Sequence, residues 1–302
     1  MEKIFIDGKE GTTGLQIYER LAQRKDIILI TLSDEKRKDI NARKKCINEA
    51  DLVFLCLPDD AAKESVSLCE NPDVKIIDAS TAHRTNDAWA YGFPELSKEF
   101  YEKIKTGKRI ANPGCHASGF VSIVYPLISA GILSADYPFV SHSITGYSGG
   151  GKKMIAEYES RDRADELSSP RQYGLTLTHK HLPEMTKVCG LAKAPIFNPI
   201  VSDFYSGMCV TVPIFADMMK DRKTPEQLRE FFKDFYKGAK RIFVSEKDEK
   251  FFGANNLSGT DNMEIFVGGN ESQILLCSRF DNLGKGASGA AVQNMDIALG
   301  LE

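Results

Sequence analysis

The sequence predicts an α/β protein: a Rossmann-type doubly wound parallel sheet, followed by an α+β region with a mixed or antiparallel sheet. Two observations support this fold class. In the first part of the chain, four apolar strand-like runs begin about two dozen residues apart, with helix-like segments between them. After about residue 113 this spacing ends, and longer strand-like runs follow with fewer helices between them. A length of 302 residues fits two domains.

The first sheet is predicted from strands that are almost wholly apolar, as expected where helices cover both faces. These strands are residues 3–6, 27–32, 52–57 and 75–77. Amphipathic helices are predicted after the first and third strands, and Asp59 and Asp60 are candidates to cap the second of them. The result is a βαβ array.

The second sheet is predicted from residues 139–144, 208–215, 241–244, 263–267 and 273–280. Only one strong helix, residues 225–236, interrupts these strands, so we expect helices on one face of the sheet. Residues 284–301 return to a helical pattern after a glycine-rich start. The predicted domains are residues 1–113 with 283–302 and residues 114–282.

The composition excludes several classes of protein. A net charge of −3 lacks the basic excess typical of nucleic-acid binding. No apolar run approaches the roughly 18 residues of a membrane span, and we expect no secretory leader. The seven cysteines are odd in number and include no C-x-x-C pair, which disfavours both a disulfide framework and a zinc site. We therefore expect a cytoplasmic protein with free thiols, no metal, no nucleic-acid partner and no membrane partner.

A glycine-rich turn follows the first strand and opens the first helix. Its sequence is Gly8-Lys-Glu-Gly11-Thr12-Thr13-Gly14. In a doubly wound fold this position presents backbone N–H groups to a phosphate. The spacing is G-x-x-G-x-x-G rather than G-x-G-x-x-G, so a plain turn is the alternative.

The residues after the second strand bear on the choice of cofactor. An NAD enzyme places an acidic residue there, whereas Ser33 ends this strand and Lys36, Arg37 and Lys38 follow. A hydroxyl and cations suit a 2′-phosphate, which favours NADP. The neighbouring Asp34 and Glu35 leave a solvated charge run as the alternative.

Cys115 is the candidate nucleophile. It follows Asn112-Pro-Gly and precedes an apolar helical stretch, which puts its sulfur at a helix N-terminus. The helix dipole and the N–H groups there lower the pKa of a thiol, and the same N–H groups can bind an oxyanion. The other six cysteines lie within apolar patterns and are predicted to be core residues.

A nucleophilic cysteine needs a proton-transfer partner, usually histidine. His179 and His181 are two residues apart, so in an extended segment both rings would face the same way. For His83 and His116, a surface or core role is the commoner outcome. Arg84 follows the fourth strand, where ligands collect, although an ordinary ion pair is its alternative. Residues 146–151 form a second glycine-rich stretch, either a flexible loop near the cofactor or a plain turn.

Seven segments together resemble the short form of the N-acetyl-γ-glutamyl-phosphate reductase family. They are DGKEGTTG (7–14), CLPDDAA (56–62), DASTAHR (78–84), ANPGC (111–115), GYSGGGK (146–152), HKHLPE (179–184) and DNLGKGASG (281–289). They occur in this order and are distributed over nearly the whole length of the chain. The family is similar to aspartate-semialdehyde dehydrogenase and, more distantly, to glyceraldehyde-phosphate dehydrogenase.

The resemblance implies an oxidoreductase of arginine biosynthesis that uses NADPH to reduce N-acetylglutamyl 5-phosphate to the 5-semialdehyde. Cys115 would form a thioester as phosphate leaves. His181 would move the proton, with His179 as a substrate contact or alternate. The family also implies that residues 1–113 with 283–302 bind NADP and that residues 114–282 carry catalysis and oligomerisation. It further implies a homo-oligomer, a dimer or a tetramer.

The resemblance also implies binding residues. Arg84 would hold the substrate phosphate, and Asn112 is a further substrate-binding candidate. The cofactor candidates beyond the first turn are Ser33, Arg37, Pro58, Ser80, Ser148, Asn282 and Lys285. After the nucleophile, His116-Ala-Ser-Gly departs from the Tyr-Pro-Thr-Gly expected of the family, which affects the fine substrate contacts.

Two other functions fit less well. One is an aspartate-semialdehyde dehydrogenase, which has the same chemistry with a different substrate. The other is an NADP-binding sensor without catalysis, which would have no need of Cys115 and the H-x-H segment.

Overall fold

Six strands near the amino terminus pair into a sheet in which every pairing is parallel. They are β1 (Glu2–Asp7), β2 (Ile27–Ile30), β3 (Leu52–Leu55), β4 (Lys75–Asp78), β5 (Ala90–Tyr91) and β6 (Arg109–Ala111). Their order is β2-β1-β3-β4-β6-β5. The computed structural model describes residues 1–33, 35–246 and 249–302, and Asp34 lies outside them. The four strands predicted for this sheet are confirmed, and β5 and β6 are additional.

Four helices connect these strands. They are α1 (Thr12–Leu21), α2 (Ile40–Glu49), α3 (Asp59–Leu68) and α4 (Lys98–Thr106). The prediction that Asp59 and Asp60 cap α3 is wrong, because Pro58 is the capping residue and both aspartates lie in the first turn. The Asp59 carboxylate instead accepts hydrogen bonds from the backbone N–H and hydroxyl of Thr81.

The second sheet has seven strands and is mixed. They are β7 (Val140–Gly146), β8 (Arg171–Gln172), β9 (Ile196–Ser202), β10 (Met208–Phe215), β11 (Ile242–Val244), β12 (Met263–Gly269) and β13 (Gln273–Phe280). Their order is β11-β12-β13-β10-β7-β9-β8, with parallel pairing only between β11 and β12 and between β7 and β9. The predicted mixed sheet is confirmed, whereas β8 and β9 were not predicted.

Four helices accompany the second sheet. They are α5 (Cys115–Ser129), α6 (Gly151–Glu159), α7 (Leu182–Val188) and α8 (Pro225–Phe235). The prediction of a single helix among these strands is wrong, since α6 and α7 are also present. Of the two interpretations of residues 146–151, the structure agrees with the turn, since Tyr147–Gly150 form a 3₁₀ turn that leads into α6. Helix α5 packs on β10 and β13, and α8 packs on β11 and β12.

The chain ends in α9 (Gly289–Leu299), which follows a π-helical turn at Gly284–Ser288. This last helix packs against α1, α4 and β4. The chain accordingly divides into two compact units, Met1–Pro113 with Ala287–Glu302 and Gly114–Gly286.

Alternation along β1 shows how the first sheet is covered on both faces. Ile4 and Ile6 belong to a core cluster that includes residues of α1, α4 and α9. Phe5 belongs to a second cluster, which includes residues of α2 and α3. Successive side chains of a strand point to opposite faces, so β1, β3 and β4 each contribute to both clusters. The carboxyl ends of the strands then lie along one edge, where the predicted cofactor turn begins.

Candidate active site

Cys115 is the first residue of α5, and Gly114 caps that helix, as the sequence predicted. The thiol is partly buried. At this position it adjoins the first-turn N–H groups, which have no acceptor within the helix, and the positive end of the helix dipole. Both effects favour a thiolate and any oxyanion formed beside it.

The π-helical turn approaches Cys115 closely through Gly286. A Cβ atom on Gly286 would lie 3.0 Å from the Cβ of Cys115 and 3.1 Å from a ring carbon of Phe280. A larger side chain there would press directly on the nucleophile. This contact is one physical reason for the glycine-rich sequence before the last helix.

Glu184 anchors the start of α5. The Gly114 N–H donates to Oε1 of Glu184 at 2.9 Å, and the carboxyl group is buried on α7. A carboxylate is stabilised at a helix N-terminus, so the bond fixes the turn that carries Cys115. No role was predicted for Glu184 from the sequence, although this residue lies in the HKHLPE segment.

His179 and His181 lie side by side, with ring centroids 4.8 Å apart and planes at 84°. The expectation of an extended segment is wrong: residues 180 and 181 form a turn, and α7 begins directly afterwards. In this turn the His181 backbone N–H donates to Nδ1 of His179 at 3.2 Å. His179 therefore carries its proton on Nε2 when neutral.

The two histidines differ in exposure. His181 is buried, whereas His179 is only partly buried. Burial, with a smaller effect of the Lys180 charge, lowers the pKa of His179 to about 4. His179 is thus a neutral hydrogen-bond donor at pH 7.

His116 joins this pair as a third imidazole that the sequence analysis left without a role. Its ring centroid lies 5.5 Å from that of His179 and 5.6 Å from that of His181. Its Nδ1 is 2.6 Å from Oγ of Ser143, and its Nε2 is 2.7 Å from Oη of Tyr173. Burial first, and then the charges of His179 and Lys180, lower the pKa of His116 to about 3.

Tyr173 follows β8 and closes this group of rings. Burial raises the pKa of its phenol, and the negative charge of Cys115 raises it further. That electrostatic effect means that the phenol and the thiolate influence each other. The only sequence signal for this arrangement was the position of His116 next to Cys115.

In the first unit, Arg84 follows the carboxyl end of β4. Its Nε donates to the carbonyl oxygen of Asn112 and its Nη2 to that of Ala79, both at 2.9 Å. The Asn112 amide donates to the Ala287 carbonyl and accepts from the amide of Asn294. The side chain of Asn112 thus also tethers α9, and its role in substrate binding stays a prediction.

The glycine-rich turn has the tight geometry expected of a phosphate-binding loop. Gly8 has a φ angle of +90°, and a Cβ atom on it would lie 2.4 Å from the Cys56 carbonyl oxygen. A Cβ atom on Gly14 would lie 2.4 Å from the Gly8 carbonyl oxygen. Gly11 caps α1, and Thr12 and Thr13 form its first turn. Only glycine fits the first and last positions.

A cavity of about 320 Å³ lies beside this turn, at the carboxyl ends of β1 and β2. Gly8 and apolar residues of β2 line this cavity. Its lining also includes four cationic side chains, those of Lys9, Arg37, Lys38 and Arg43. Arg43 is held on the buried Asp7, with Nη2 3.1 Å from Oδ2. Arg37 lines this cavity, whereas Ser33 and Pro58 are not among its lining residues, and the roles of all three in cofactor binding stay predictions.

The remaining predicted cofactor residues are polar groups within their own units. Ser80 is buried and bonded to Asp78. In the second unit, the Asn282 amide donates to the Ser148 hydroxyl at 3.0 Å and accepts from Gly207 N–H at 2.8 Å. Lys285 is buried in the π-helical turn. Their roles in cofactor binding stay predictions.

The other cysteines do not share the environment of Cys115. Four of them are buried: Cys46, Cys189, Cys209 and Cys277. Cys56 and Cys69 are only partly buried, and the surroundings of Cys56 raise its pKa to about 12. All seven are free thiols.

Two further features concern the part of the chain that the structure describes. Within it, no group of three or more His, Cys, Asp or Glu side chains is arranged to hold a metal ion. Over the same residues, no helix combines the length and the apolar character needed to cross a bilayer.

Both units match known protein families. Residues 3–104 match the family described as semialdehyde dehydrogenase, NAD binding domain. Residues 115–282 match the family described as semialdehyde dehydrogenase, dimerisation domain. The two matches together cover most of the chain.

Curated relatives match over nearly their full length. N-acetyl-γ-glutamyl-phosphate reductase 2 of Nostoc sp. is 45% identical, over 99% of this chain and 97% of the relative. The reductase of Rhizobium etli is 46% identical, over 98% of both chains. Among solved structures, aspartate semialdehyde dehydrogenase II of Vibrio cholerae superposes with a TM-score of 0.75 at 16% identity, over 99% of this chain and 98% of that chain. That likeness concerns the fold alone.

Proposed function

Because this chain belongs to the N-acetyl-γ-glutamyl-phosphate reductase family of semialdehyde dehydrogenases, we propose that it reduces N-acetylglutamyl 5-phosphate to N-acetylglutamate 5-semialdehyde with NADPH, in arginine biosynthesis. The observation that carries this proposal is Cys115 at the N-terminus of α5, in one unit with three clustered histidines. A thiol and imidazoles so placed suit acyl transfer.

The first step is attack of the Cys115 sulfur on the acyl carbon of the substrate. His181 takes the thiol proton, the carbon–oxygen bond to phosphate breaks, and the imidazolium returns the proton to the leaving phosphate oxygen. A thioester remains on Cys115. The first-turn N–H groups of α5 stabilise the oxyanion of the tetrahedral intermediate.

His181 and His179 have different roles in this scheme. His179 accepts the His181 N–H on Nδ1, so its Nε2–H is directed to a hydrogen-bond acceptor such as a substrate oxygen. Its low pKa keeps it neutral, which suits a substrate contact better than a proton carrier. His181 is therefore assigned the proton transfer.

The cofactor site fits a dinucleotide phosphate. The turn from Gly8 to Gly14 leaves no room for a Cβ at either end, which is typical of the tight first βα turn of a dinucleotide-binding fold, and Arg37 and Lys38 line the adjoining cavity. These cations suit a 2′-phosphate, which supports NADP over NAD. NADPH supplies the hydride that reduces the thioester. The hemithioacetal formed on Cys115 then collapses. Its carbon–sulfur bond breaks, the aldehyde is released, and the Cys115 thiolate takes up a proton.

We assign to Arg84 the binding of the substrate phosphate. A guanidinium is suited to hydrogen bonds with a phosphate, and contacts to the Asn112 and Ala79 carbonyls orient that of Arg84. The free thiols of the chain agree with a reducing, cytoplasmic location.

The second sheet supports assembly into a homo-oligomer. Helices α5 and α8 contact one face, and the opposite face exposes apolar side chains of four paired strands: Ile144, Ile196, Phe215 and Leu275. Apolar side chains exposed on one face of a sheet are typical of an interaction surface. We assign this face to the contact with a second copy of the chain.

The reaction is tested in the reverse direction, by following NADP reduction with N-acetylglutamate semialdehyde and inorganic phosphate. We expect kcat/KM at least about 100-fold above that for aspartate semialdehyde. Cys115→Ser should lower kcat at least about 1,000-fold, whereas Cys69→Ser, also partly buried, should retain activity. Full turnover by Cys115→Ser would refute the role of Cys115 as the nucleophile. Preference for aspartate semialdehyde would refute the proposed substrate.

A further inference from the structure

His83 is a buried histidine that the proposed reaction does not use. It lies in the segment after β4, one residue before Arg84. Its Nδ1 donates to Oδ2 of Asp78 at 2.6 Å. Its ring also stacks on Trp89, with centroids 4.0 Å apart and planes within 12°. The carboxylate fixes the rotation of the ring, and the indole fixes its plane.

Asp78 organises the whole segment. It is fully buried, and its carboxylate also accepts the Ser80 N–H at 2.9 Å and the Ser80 hydroxyl at 2.7 Å. The Ser80 hydroxyl in turn accepts the Ala82 N–H at 3.1 Å. The backbone from Asp78 to His83 is therefore held at several points before Arg84 is reached.

Arg84 depends on this backbone for its own position. Its Nη2 donates to the carbonyl of Ala79, a residue inside the segment, and its Nε donates to the carbonyl of Asn112. Displacement of residues 79–83 would move the Ala79 oxygen, which helps to orient the guanidinium. An error of about 1 Å in a binding group is enough to weaken its function.

We propose that His83 is a positioning residue, which is held by Asp78 and Trp89 and sets the Arg84 guanidinium for the phosphate of the substrate. This inference rests on the proposed function, in which Arg84 binds that phosphate. His83 acts through Arg84 and does not touch the phosphate itself.

The test compares His83→Phe, which keeps an aromatic ring for Trp89 but loses the donor to Asp78, with His83→Gln, which keeps an N–H donor. The reverse reaction is followed while inorganic phosphate is varied. For His83→Phe we expect KM for phosphate to rise about tenfold, with kcat within about threefold and KM for NADP unchanged. His83→Gln should recover most of the phosphate affinity. Thr81→Ala, in the same segment but bonded to Asp59, is the matched control.

A double-mutant cycle separates action through Arg84 from direct contact. Arg84→Gln should raise KM for phosphate more than His83→Phe does, and the double variant should match Arg84→Gln alone. An additive effect, or an unchanged phosphate KM in His83→Phe, would overturn the proposal. An unchanged phosphate KM in Arg84→Gln would also overturn it, because Arg84 would then not bind phosphate.

Binding can be read without turnover, because Trp89 is the sole tryptophan of the chain. Titration of wild type with inorganic phosphate should change the Trp89 emission, and His83→Phe should need about tenfold more phosphate for the same change. If the chain oxidised neither semialdehyde with NADP and phosphate, the proposed function would fail, while this titration would still decide the role of His83. Identical titrations of wild type and His83→Phe would refute it.

Discussion

His116 stands directly after the nucleophile, and both its ring nitrogens are hydrogen-bonded, to Ser143 and to Tyr173. Because burial lowers its pKa to about 3, the folded protein keeps the ring neutral at pH 7 and well below. An unfolded chain binds a proton at this residue below about pH 6.5. The unfolded state therefore holds more protons than the folded state between about pH 6.5 and 3, so stability falls as the pH drops through that range.

The contribution of His116 should amount to about 1 kcal/mol of unfolding free energy per pH unit below pH 6. Urea unfolding of wild type and His116→Phe at pH 6.5, 5.5 and 4.5 measures it. The phenyl ring preserves aromatic packing but cannot titrate, so the gap between the two proteins should change by that amount. His142→Asn, which removes an exposed histidine, should show no such change. Parallel pH curves for wild type and His116→Phe would contradict the assignment.

Single residues also mark where sequence reasoning stopped. The position of Cys115 could be predicted, because a glycine followed by an apolar helical stretch sets a helix start within a few residues. The cluster around His116 could not, because Ser143, Tyr173 and His179 come from separate segments and meet only in the folded unit. The contact of Glu184 with the start of α5 could not be predicted either, since its partner is a backbone N–H seventy positions away.

At the scale of elements, two glycines of the first βα turn differ in the space available for a Cβ atom. A Cβ atom on Gly14 would lie 2.4 Å from the Gly8 carbonyl oxygen and 2.9 Å from the Cα atom of Lys9. On Gly11 the nearest atoms would be 3.5 Å and 3.6 Å away, which is ordinary contact. The first substitution must displace backbone, and the second need not.

We therefore expect Gly14→Ala to lower the free energy of unfolding by about 1–3 kcal/mol, and Gly11→Ala to change it by less than about 0.5 kcal/mol. Chemical denaturation monitored by circular dichroism measures both. Gly11→Ala serves as the matched control, because it adds the same methyl group in the same turn. Equal stability of the two variants would show that the turn relaxes and is not a rigid cradle.

The elements that sequence reasoning missed are those whose local signals conflict with their structure. Strand β9 contains Pro199 and Asn198, both unfavourable in strands. Helix α6 begins at the third of three consecutive glycines, and α7 has only seven residues, with Pro183 in its first turn. Strands β10 and β13, by contrast, lie where their apolar residues predicted them. Tertiary packing decides the weaker segments.

At the scale of the whole molecule, the apolar face of the second sheet leads to a prediction about assembly. Phe215 and Leu275 lie on neighbouring strands and are 51% and 41% exposed. A charged side chain in place of each would be buried without a partner at the proposed interface, which is strongly unfavourable. Phe215→Lys with Leu275→Lys should convert a dimer or tetramer into a monomer.

Sedimentation equilibrium at micromolar concentration measures this change. Leu175→Lys is the control, because Leu175 is 73% exposed and lies outside the strands of the sheet. It should leave the mass of the assembly unchanged. If the double variant kept the mass of the wild-type assembly, the interface would have to lie elsewhere on the chain.

The division of the chain has a consequence for its biosynthesis. The second unit is one continuous stretch, whereas the first needs both ends of the chain, with α9 packed on α1, α4 and β4. On the ribosome, residues 1–113 emerge before the second unit but lack their closing helix until α9 has also been synthesised, after the whole second unit. The second unit can complete its sheet earlier. Although domains usually fold from the amino terminus onward, here the nucleotide-binding unit is the last to be finished.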